Sequence, residues 1–236
     1  MMRIDANNYI FTKEIYHEEF KNILSKMVSV YKMMIYDGVI LERKENKIRD
    51  VLVLDYLKNN KKRTELGILH YGFEREVMED DSAGRMDIKI TSLNSWSDTS
   101  EYYNCECKLL DNKYPDASSG LNAKYIANGI CRFTSGYYHT SATNANGMIG
   151  FVIDKMDIDA NICKINKLLV MPLKNSDGKV VSPNTFSPIA KTDFIQDFEY
   201  QYTSEHTLNQ DRNITLYHLM MDFSNNIGII DHNDLN

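Results

Sequence analysis

The spacing of apolar residues changes from helical to alternating near residue 70, and this change constrains the fold more than any other sequence feature. Before it, apolar side chains recur every three or four residues, as on a helix buried along one face. After it, three short segments alternate or are dense in strand-forming residues. The predicted elements are helices at 13–36 and 44–59, strands at 73–77, 85–90 and 102–110, a helix at 119–133 and a strand at 147–153.

The remainder of the chain extends the same mixed α/β pattern. Further strands are predicted at 167–173, 197–202 and 214–223, separated by a loop that holds Pro183 and Pro188. No stretch is poor enough in apolar residues to mark a domain boundary. We therefore predict a single domain over 1–236. It divides into an N-terminal helical segment at 1–43, a core at 44–153 with a mixed sheet flanked by helices, and a C-terminal elaboration at 154–236.

Composition excludes several classes of protein. With 236 residues, 43% hydrophobic and 25% charged, the chain has enough apolar material for a real core, so general disorder is excluded. No apolar run is long enough to span a membrane, and the first residues lack the apolar core of a signal peptide, which predicts a cytoplasmic protein. The four cysteines form no CxxC pair, and no histidines have ligand spacing, so zinc chemistry has no support.

A local basic segment stands out in a chain whose net charge is −6. Residues 43–63 contain eight basic and three acidic side chains, a local excess of five positive charges. Such a segment is either a solvated helix face or a phosphate-binding patch. In the second interpretation, the predicted nucleic-acid-binding residues are Arg43, Lys44, Lys47, Lys61, Lys62 and Arg63.

The predicted second and third strands place polar residues where they can meet. Because successive residues of a strand point to opposite faces, Asp87 lies on the polar face of its strand, and Glu106 and Lys108 share one face of the next. Of four Glu-x-Lys tripeptides in the chain, only Glu106-Cys-Lys108 falls in a predicted strand. Two carboxylates suit a hard divalent cation such as Mg²⁺, and a lysine beside them stabilises developing negative charge.

These residues resemble a known nuclease superfamily. Gly84-Arg-Met-Asp87, followed after about twenty residues by Glu106-Cys-Lys108, a helix and a strand, is similar to the PD-(D/E)xK core, with Met86 where that motif has proline. The resemblance covers 44–153 and implies a restriction endonuclease-like αβββαβ core. It implies that Asp87 and Glu106 bind Mg²⁺, which Mn²⁺ can replace, and that Lys108 positions or polarises the nucleophile.

The same resemblance assigns a third carboxylate to the first core helix, and Glu45 is the matching residue. Helical spacing places Glu45 on the stripe of Ile48 and Leu52, so we expect it to point toward the sheet and to need a partner there. Glu45 is accordingly included among the predicted catalytic and metal-binding residues.

The predicted activity is hydrolysis of DNA phosphodiester bonds in a restriction or anti-phage defence role, by a homodimer that has a possible partner protein within the defence system. Two alternatives remain open: a catalytically silent or partner-activated nucleic-acid-binding subunit on the same fold, and a ribonuclease. A purely structural interpretation is also open for each residue. The charged strand faces can form cross-strand ion pairs, and His206 and His218 either bracket a binding surface or are satisfied core histidines.

Overall fold

The helices form two sets along the sequence. One set precedes the first strand, and the other lies between later strands. The computed structural model describes residues 6–78, 85–92, 102–135, 137–138, 145–209 and 212–228. Two of the helices contain wider π-helical turns. The helices are α1 (Ala6–Tyr36), α2 (Glu45–Asp50) continuing as a π-helical segment (Val51–Leu57), α3 (Asn60–Leu66), α4 (Leu121–Tyr125) continuing as a second π-helical segment (Ile126–Ile130), α5 (Cys131–Thr134) and α6 (Ile158–Leu168).

Among the described residues, nine strands follow the first helices, and seven of them form one mixed sheet. The strands are β1 (Gly72–Met78), β2 (Arg85–Thr91), β3 (Tyr102–Leu110), β4 (Ala145–Val152), β5 (Leu173–Lys174), β6 (Val180–Val181), β7 (Thr185–Lys191), β8 (Gln201–Asn209) and β9 (Arg212–Asp222). The main sheet has the order β1-β2-β3-β4-β9-β8-β7, and β5 pairs only with β6. The mixed α/β class predicted from the sequence is confirmed.

The centre of the sheet is parallel and its flanks are antiparallel. Strands β3, β4 and β9 run in the same direction, whereas β1, β2, β8 and β7 pair antiparallel with their neighbours. All eight residues of β4 are buried, as expected of a strand with helices on both faces. Since β9 pairs directly with β4, the C-terminal strands continue the sheet to which the predicted core belongs.

Two apolar clusters cover the two faces of the sheet. One joins α1 and the helical segment 45–57 to Cys105 and Cys107 of β3. The other joins α4, α5 and α6 to Met148 of β4 and Met220 of β9. Helices therefore pack on both sides of the sheet, and a charged side chain of a central strand can reach water only at a strand end or at a gap between strands.

The structure corrects several predicted boundaries. The first helix begins at Ala6, seven residues before its predicted start at residue 13. The strand predicted at 167–173 is wrong, because α6 occupies Ile158–Leu168, where the carboxylate of Asp157 caps the helix by accepting from the Ala160 N–H at 2.9 Å.

The loop expected around Pro188 is also wrong, since Pro188 lies within the edge strand β7. The pairing of β7 with β8 shifts register between Ser187 and Ala190, so Pro188 sits at an irregularity where its missing N–H costs no regular ladder bond. The strand predicted at 197–202 begins later, at Gln201. In the described ranges, no helix combines the length and the apolar character needed to cross a bilayer.

Candidate active site

The predicted acidic residues meet at a notch where β2 separates from β3. The pairing of the two strands runs from Thr91↔Tyr102 to Ile88↔Cys105 and stops there, so that Asp87, the next residue of β2, is unpaired with β3. Beyond that point, carboxylates take over the backbone donors of β3. The Cys107 N–H donates to Asp87 Oδ2 at 2.9 Å, and the Leu109 N–H donates to Glu45 Oε2 at 3.3 Å. The side chains thus satisfy a strand edge that would otherwise be open.

A local irregularity of β2 directs the Asp87 side chain toward this notch. Met86 packs in one apolar cluster, whereas Ile88 packs in the cluster on the opposite face, so the alternation of β2 breaks at Asp87. The neighbouring strand is irregular at the same level, because Glu76 has a left-handed φ of 53°. Such breaks re-aim single side chains, and here the one re-aimed is the predicted metal ligand.

Lys108 stands at the centre of the notch. Its Nζ lies 2.7 Å from Glu106 Oε1, 3.0 Å from Glu45 Oε1 and 3.6 Å from Asp87 Oδ2. It also donates to the Cys107 carbonyl at 2.6 Å. Burial alone would lower the pKa of Lys108, but these three carboxylates raise it well above its usual range, so the amine stays protonated.

A close approach of the second π-helical segment fixes the stem of Lys108. Gly129 lies over this residue, and a Cβ on it would stand 3.4 Å from Lys108 Cγ and only 2.5 Å from Met148 Cε. A side chain at position 129 would therefore displace the methyl group of Met148, while its Cβ would stand in ordinary van der Waals contact with Lys108. The four predicted residues Glu45, Asp87, Glu106 and Lys108 are thus brought together from α2, β2 and β3, and Glu45 has the predicted inward orientation.

Glu106 is the most deeply buried acid of the cluster, and it is bound on both oxygens. Besides Lys108, Arg132 Nη1 contacts Oε1 at 2.5 Å, and the Tyr138 hydroxyl donates to Oε2 at 2.5 Å. Its side chain is 0% exposed, and burial raises its pKa to about 7 against the opposing pull of Lys108 and Arg132. The charge on Glu106 is therefore sensitive to the surroundings near neutral pH.

Asp87 has its own arginine. Arg49 Nη1 donates to Asp87 Oδ1 at 3.0 Å, and the same guanidinium contacts Glu76 at 2.8 Å and Asp50 at 3.1 Å. Burial alone would lower the pKa of Arg49, but the hydrogen bonds that it donates to Glu76 and Asp50 raise the pKa above its usual range. With Arg49 and Arg132 included, three cations face the three carboxylates of the notch.

Several oxygen atoms converge on a single cation in the notch. Four oxygens surround one cationic atom, Lys108 Nζ, and they belong to three carboxylates and a backbone carbonyl. Among the described residues, no group of three or more His, Cys, Asp or Glu side chains is placed to hold a metal ion. The ammonium of Lys108 occupies the point on which the acids converge.

The predicted basic patch is divided by its contacts. Besides Lys44, which forms an exposed pair with its near neighbour Glu42 at 2.9 Å, three of its six members are engaged within the fold. Arg43 pairs with Asp154 at 2.6 Å, Lys62 pairs with Asp37 at 3.2 Å, and Arg63 donates to the carbonyls of Leu69 and Tyr71.

The other three predicted basic residues are exposed, but they lie in two places. Lys44 and Lys47 stand at the end of the helical segment that carries Glu45, whereas Lys61 lies beyond its other end. That segment spans roughly 15 to 20 Å at about 1.5 Å per residue. Only Lys44 and Lys47 are therefore near the notch.

Arg132 and Tyr138 are site residues that sequence reasoning missed. Arg132 interrupts the apolar run Ile130-Cys131-Arg132-Phe133, and a lone arginine within a buried helical stretch was the available signal. Tyr138 gave no comparable signal, since it is one of 15 tyrosines in the chain.

Two asparagines near the notch were also not predicted from the sequence. Asn104 and Asn146 are register partners on β3 and β4, each 2% exposed, and Asn104 lies two residues before Glu106. Within the described ranges, neither polar atom of the Asn104 side chain has a hydrogen-bond partner, and neither does Nδ2 of Asn146. Burying polar atoms without hydrogen bonds costs free energy, so these amides are the least stably buried side chains described on this face of the sheet.

His206 and His218 belong to a different cluster, a closed chain of hydrogen bonds on β8 and β9. The Ser204 hydroxyl lies 2.7 Å from Nε2 of each histidine. Nδ1 of His218 meets the Tyr125 hydroxyl at 2.8 Å, and Nδ1 of His206 meets the Pro183 carbonyl at 2.9 Å. Burial lowers the pKa of His206 to about 4 and that of His218 to about 3, so both rings are neutral.

Gly84 of the motif, His139 and His232 lie outside the described residues. In comparisons with known proteins, the chain matches no family model, no curated protein and no solved structure.

Proposed function

We propose that this chain is a Mg²⁺-dependent nuclease that hydrolyses phosphodiester bonds of DNA. The observation that carries the proposal is the convergence of Glu45, Asp87 and Glu106 on Lys108, at a gap between strands inside an otherwise covered sheet. Charged groups are costly to gather in such a place without a functional reason. The element order from 45 to 152 is helix, three strands, helix, strand, the order that the resemblance to PD-(D/E)xK nucleases implies.

The donor set fits the implied metal. Mg²⁺ takes one or two protein carboxylates and completes its shell with water and substrate phosphate, so Asp87 and Glu106 suffice, with Glu45 acting directly or through a water. When bound, the ion would supply a polarised water and neutralise charge on the phosphate. The acids would hold the ion beside the ammonium of Lys108, and the hydrogen bonds of the notch would not all be replaced.

The protein groups have separable roles. Lys108 stays protonated, so it stabilises charge and orients the attacking water instead of removing a proton. Arg49 fixes Asp87 through a 3.0 Å hydrogen bond and keeps one of its oxygens directed at the notch. Arg132 has a side chain 26% exposed, and it is placed to exchange Glu106 for a phosphate oxygen when substrate arrives.

A second function is favoured by one observation. Both oxygens of Glu106 are engaged by side chains, and the notch is balanced with three cations against three acids. A partner-activated or catalytically silent nucleic-acid-binding subunit would look like this, because an added divalent ion needs one of these contacts to open. The two functions differ in whether the isolated chain cuts.

The test is incubation of the purified chain with supercoiled plasmid, with a labelled DNA oligonucleotide and with the RNA of the same sequence. We expect nicking in Mg²⁺ or Mn²⁺, none in excess chelator, and binding with little cleavage in Ca²⁺. Undiminished nicking in chelator would remove the metal mechanism. Binding without cleavage in every metal would favour the silent or partner-activated subunit, and preferential cleavage of the RNA would favour the ribonuclease.

The proposal extends to assembly and context. Cutting both strands of a duplex needs two active sites or two events, so we propose a homodimer, acting in restriction or phage defence with a possible partner protein. Light scattering of the purified chain tests the dimer, which is contradicted if the mass equals one chain of 27.4 kDa at the concentrations at which it cuts.

A further inference from the structure

A polar groove runs along the surface beside the candidate active site. It lies between helix α4 with its π-helical continuation and the small hairpin of β5 and β6, and it encloses about 720 Å³. Seven of its eight lining residues carry a hydroxyl, amide or ammonium group beside their carbon atoms, the eighth is a proline, and none is acidic. The polar lining residues are Ser118, Ser119, Lys124, Asn128, Lys174, Asn175 and Ser176.

The groove is linked to the notch through Arg132. A smaller recess of about 80 Å³ shares Asn128, Asn175 and Ser176 with the groove and is lined also by Arg132 and Tyr137. The same Arg132 contacts Glu106 of the notch at 2.5 Å. One side chain therefore connects the candidate catalytic acids to the recess, and three shared residues connect the recess to the groove.

The floor of the groove is held in place by the fold. The Ser176 N–H donates to Asn128 Oδ1 at 2.8 Å, which ties the hairpin turn to the π-helical segment. The Asn175 side chain accepts from the N–H groups of Asp177 and Lys179, so the turn is fixed internally as well. The shape of the groove is set before any ligand binds, which lowers the entropic cost of binding.

The charges of the groove are available to a ligand. Lys124 and Lys174 are exposed, and within the described part of the chain neither forms an ion pair. In the basic segment at 43–63, by contrast, Arg43, Lys62 and Arg63 are already committed to Asp154, Asp37 and backbone carbonyls, and its exposed lysines line neither cavity. Among the residues that line the recess, Asp177 is the one acid, and it does not line the groove.

From these observations we infer that the groove binds the sugar–phosphate backbone of the nucleic-acid strand whose scissile phosphate lies in the notch. Lys124 and Lys174 contact phosphates, the serine hydroxyls and asparagine amides contact phosphate and sugar oxygens, and Arg132 receives the strand beside the notch. The inference rests on the proposed nuclease function and names the surface that holds its substrate.

The test compares two pairs of exposed lysines. Lys124→Gln/Lys174→Gln removes two charges from the groove. Lys32→Gln/Lys58→Gln removes two from helix α1 and from the end of the segment 45–57, which pack on the opposite face of the sheet. Binding of a labelled single-stranded and a duplex oligonucleotide is measured by fluorescence anisotropy in Ca²⁺ over a range of salt. All four positions are on the surface, and thermal melting checks that each variant is folded.

We expect the groove variant to bind at least tenfold more weakly at low salt and the control to bind within twofold of wild type. Each lost phosphate contact reduces the slope of log K against log salt by about 0.7 to 0.9, so the groove variant should lose about 1.5. Equal losses in both variants, or wild-type binding by the groove variant, would overturn the inference while cleavage by the wild type still upheld the nuclease.

A third arm separates the strand from a free nucleotide of the same chemistry. If a deoxynucleoside monophosphate bound in a manner that required Lys124 and Lys174 while the oligonucleotide did not, the groove would be an effector site and the strand assignment would be wrong. A wild-type chain that neither binds nor cuts any nucleic acid would overturn both the groove inference and the proposed function.

Discussion

Two buried polar clusters sit within this sheet, and they are built on opposite principles. The histidine chain of Ser204, His206 and His218 is neutral, fully enclosed, and ends on a tyrosine and a backbone carbonyl. The notch around Lys108 is charged, has more acceptor oxygens than one ammonium can satisfy, and reaches solvent through Glu45 and Arg132. The comparison teaches that closure marks a structural network, whereas convergence with partial exposure marks a candidate site.

The largest effect should come from removing the centre of the notch. Lys108→Ala should reduce cleavage by a factor of roughly 10² or more, because the group that stabilises charge on the phosphate is lost. The fold should persist, since Glu106 keeps Arg132 and Asp87 keeps Arg49. Plasmid nicking rates and thermal melting measure the two quantities.

Lys89→Ala is the matched control for Lys108→Ala. Lys89 lies on β2 over the Tyr102 ring, 4.6 Å from its centroid, and has no contact with the acids of the notch. If both substitutions reduced cleavage equally, the effect would be general electrostatics. The notch would then no longer differ in function from the histidine cluster.

A substitution in the histidine chain should have the opposite effect and reduce stability without reducing cleavage. Ser204→Ala leaves Nε2 of both histidines without a partner, so the free energy of unfolding should fall by about 2 kcal/mol, while cleavage per folded molecule stays unchanged. Denaturant titration and nicking assays measure this. Ser29→Ala, which removes only a hydroxyl bonded to a helical carbonyl, should stay within about 0.5 kcal/mol of wild type. Lost cleavage in folded Ser204→Ala would make the histidine chain part of the site.

The rim of the notch offers a milder test. Glu45→Gln keeps the volume and the bond from the Leu109 N–H but removes a charge 3.0 Å from Lys108, so we expect about tenfold slower cleavage and a higher Mg²⁺ requirement. Glu65→Gln, on the exposed side of α3, should cut as the wild type does. Glu42→Gln should also have little effect. Normal cleavage by Glu45→Gln across a Mg²⁺ titration would reduce the site to Asp87, Glu106 and Lys108.

The pH dependence of stability separates the clusters by sign. Burial raises the pKa of Glu106 from 4.5 to about 7, so its stabilising contribution is complete below pH 4.5 and is lost as the pH rises through 7. The pKa values of His206 and His218 are lowered to about 4 and 3, so their contribution is complete above pH 6.5 and is lost as the pH falls.

Denaturant titrations from pH 4.5 to 8 measure both slopes. Glu106→Gln should remove a decrease of at most about 1.4 kcal/mol per pH unit, leaving the histidine slope of opposite sign. Cleavage by the wild type should rise with pH and level off above about 7, because the ionised carboxylate binds the metal. An unchanged pH profile of stability in Glu106→Gln would contradict the raised pKa.

Local pattern sufficed to predict the strands of the core and three of the site residues. The strand at 102–110 has the predicted ends because its flanking residues change character sharply, and Glu106 and Lys108 share a face by simple alternation. The inward turn of Glu45 followed from helical spacing with Ile48 and Leu52. These features depend on neighbours in sequence, which the sequence displays.

The remaining features depend on contacts between distant segments. The break of alternation at Asp87 involves the left-handed Glu76 on another strand, and no pattern within β2 announces it. Arg132 reaches Glu106 across 26 residues of sequence, and α6 was missed because its apolar residues run into those of the following turn. The ion pairs of Arg43 and Lys62, which remove them from a phosphate-binding patch, are likewise invisible in one dimension.

The position of β9 has a consequence for the order in which the molecule can be completed. The last long strand of the chain lies inside the sheet, between β4 and β8, and not at an edge. Until Arg212–Asp222 has left the ribosome, the fully buried β4 presents an unpaired edge, and strands of this kind associate readily with other chains. Translation arrest or proteolysis before residue 212 should therefore yield aggregates rather than a smaller folded unit. Strand β3, which carries Glu106 and Lys108, therefore gains its stable neighbourhood only after Arg212–Asp222 has been synthesised.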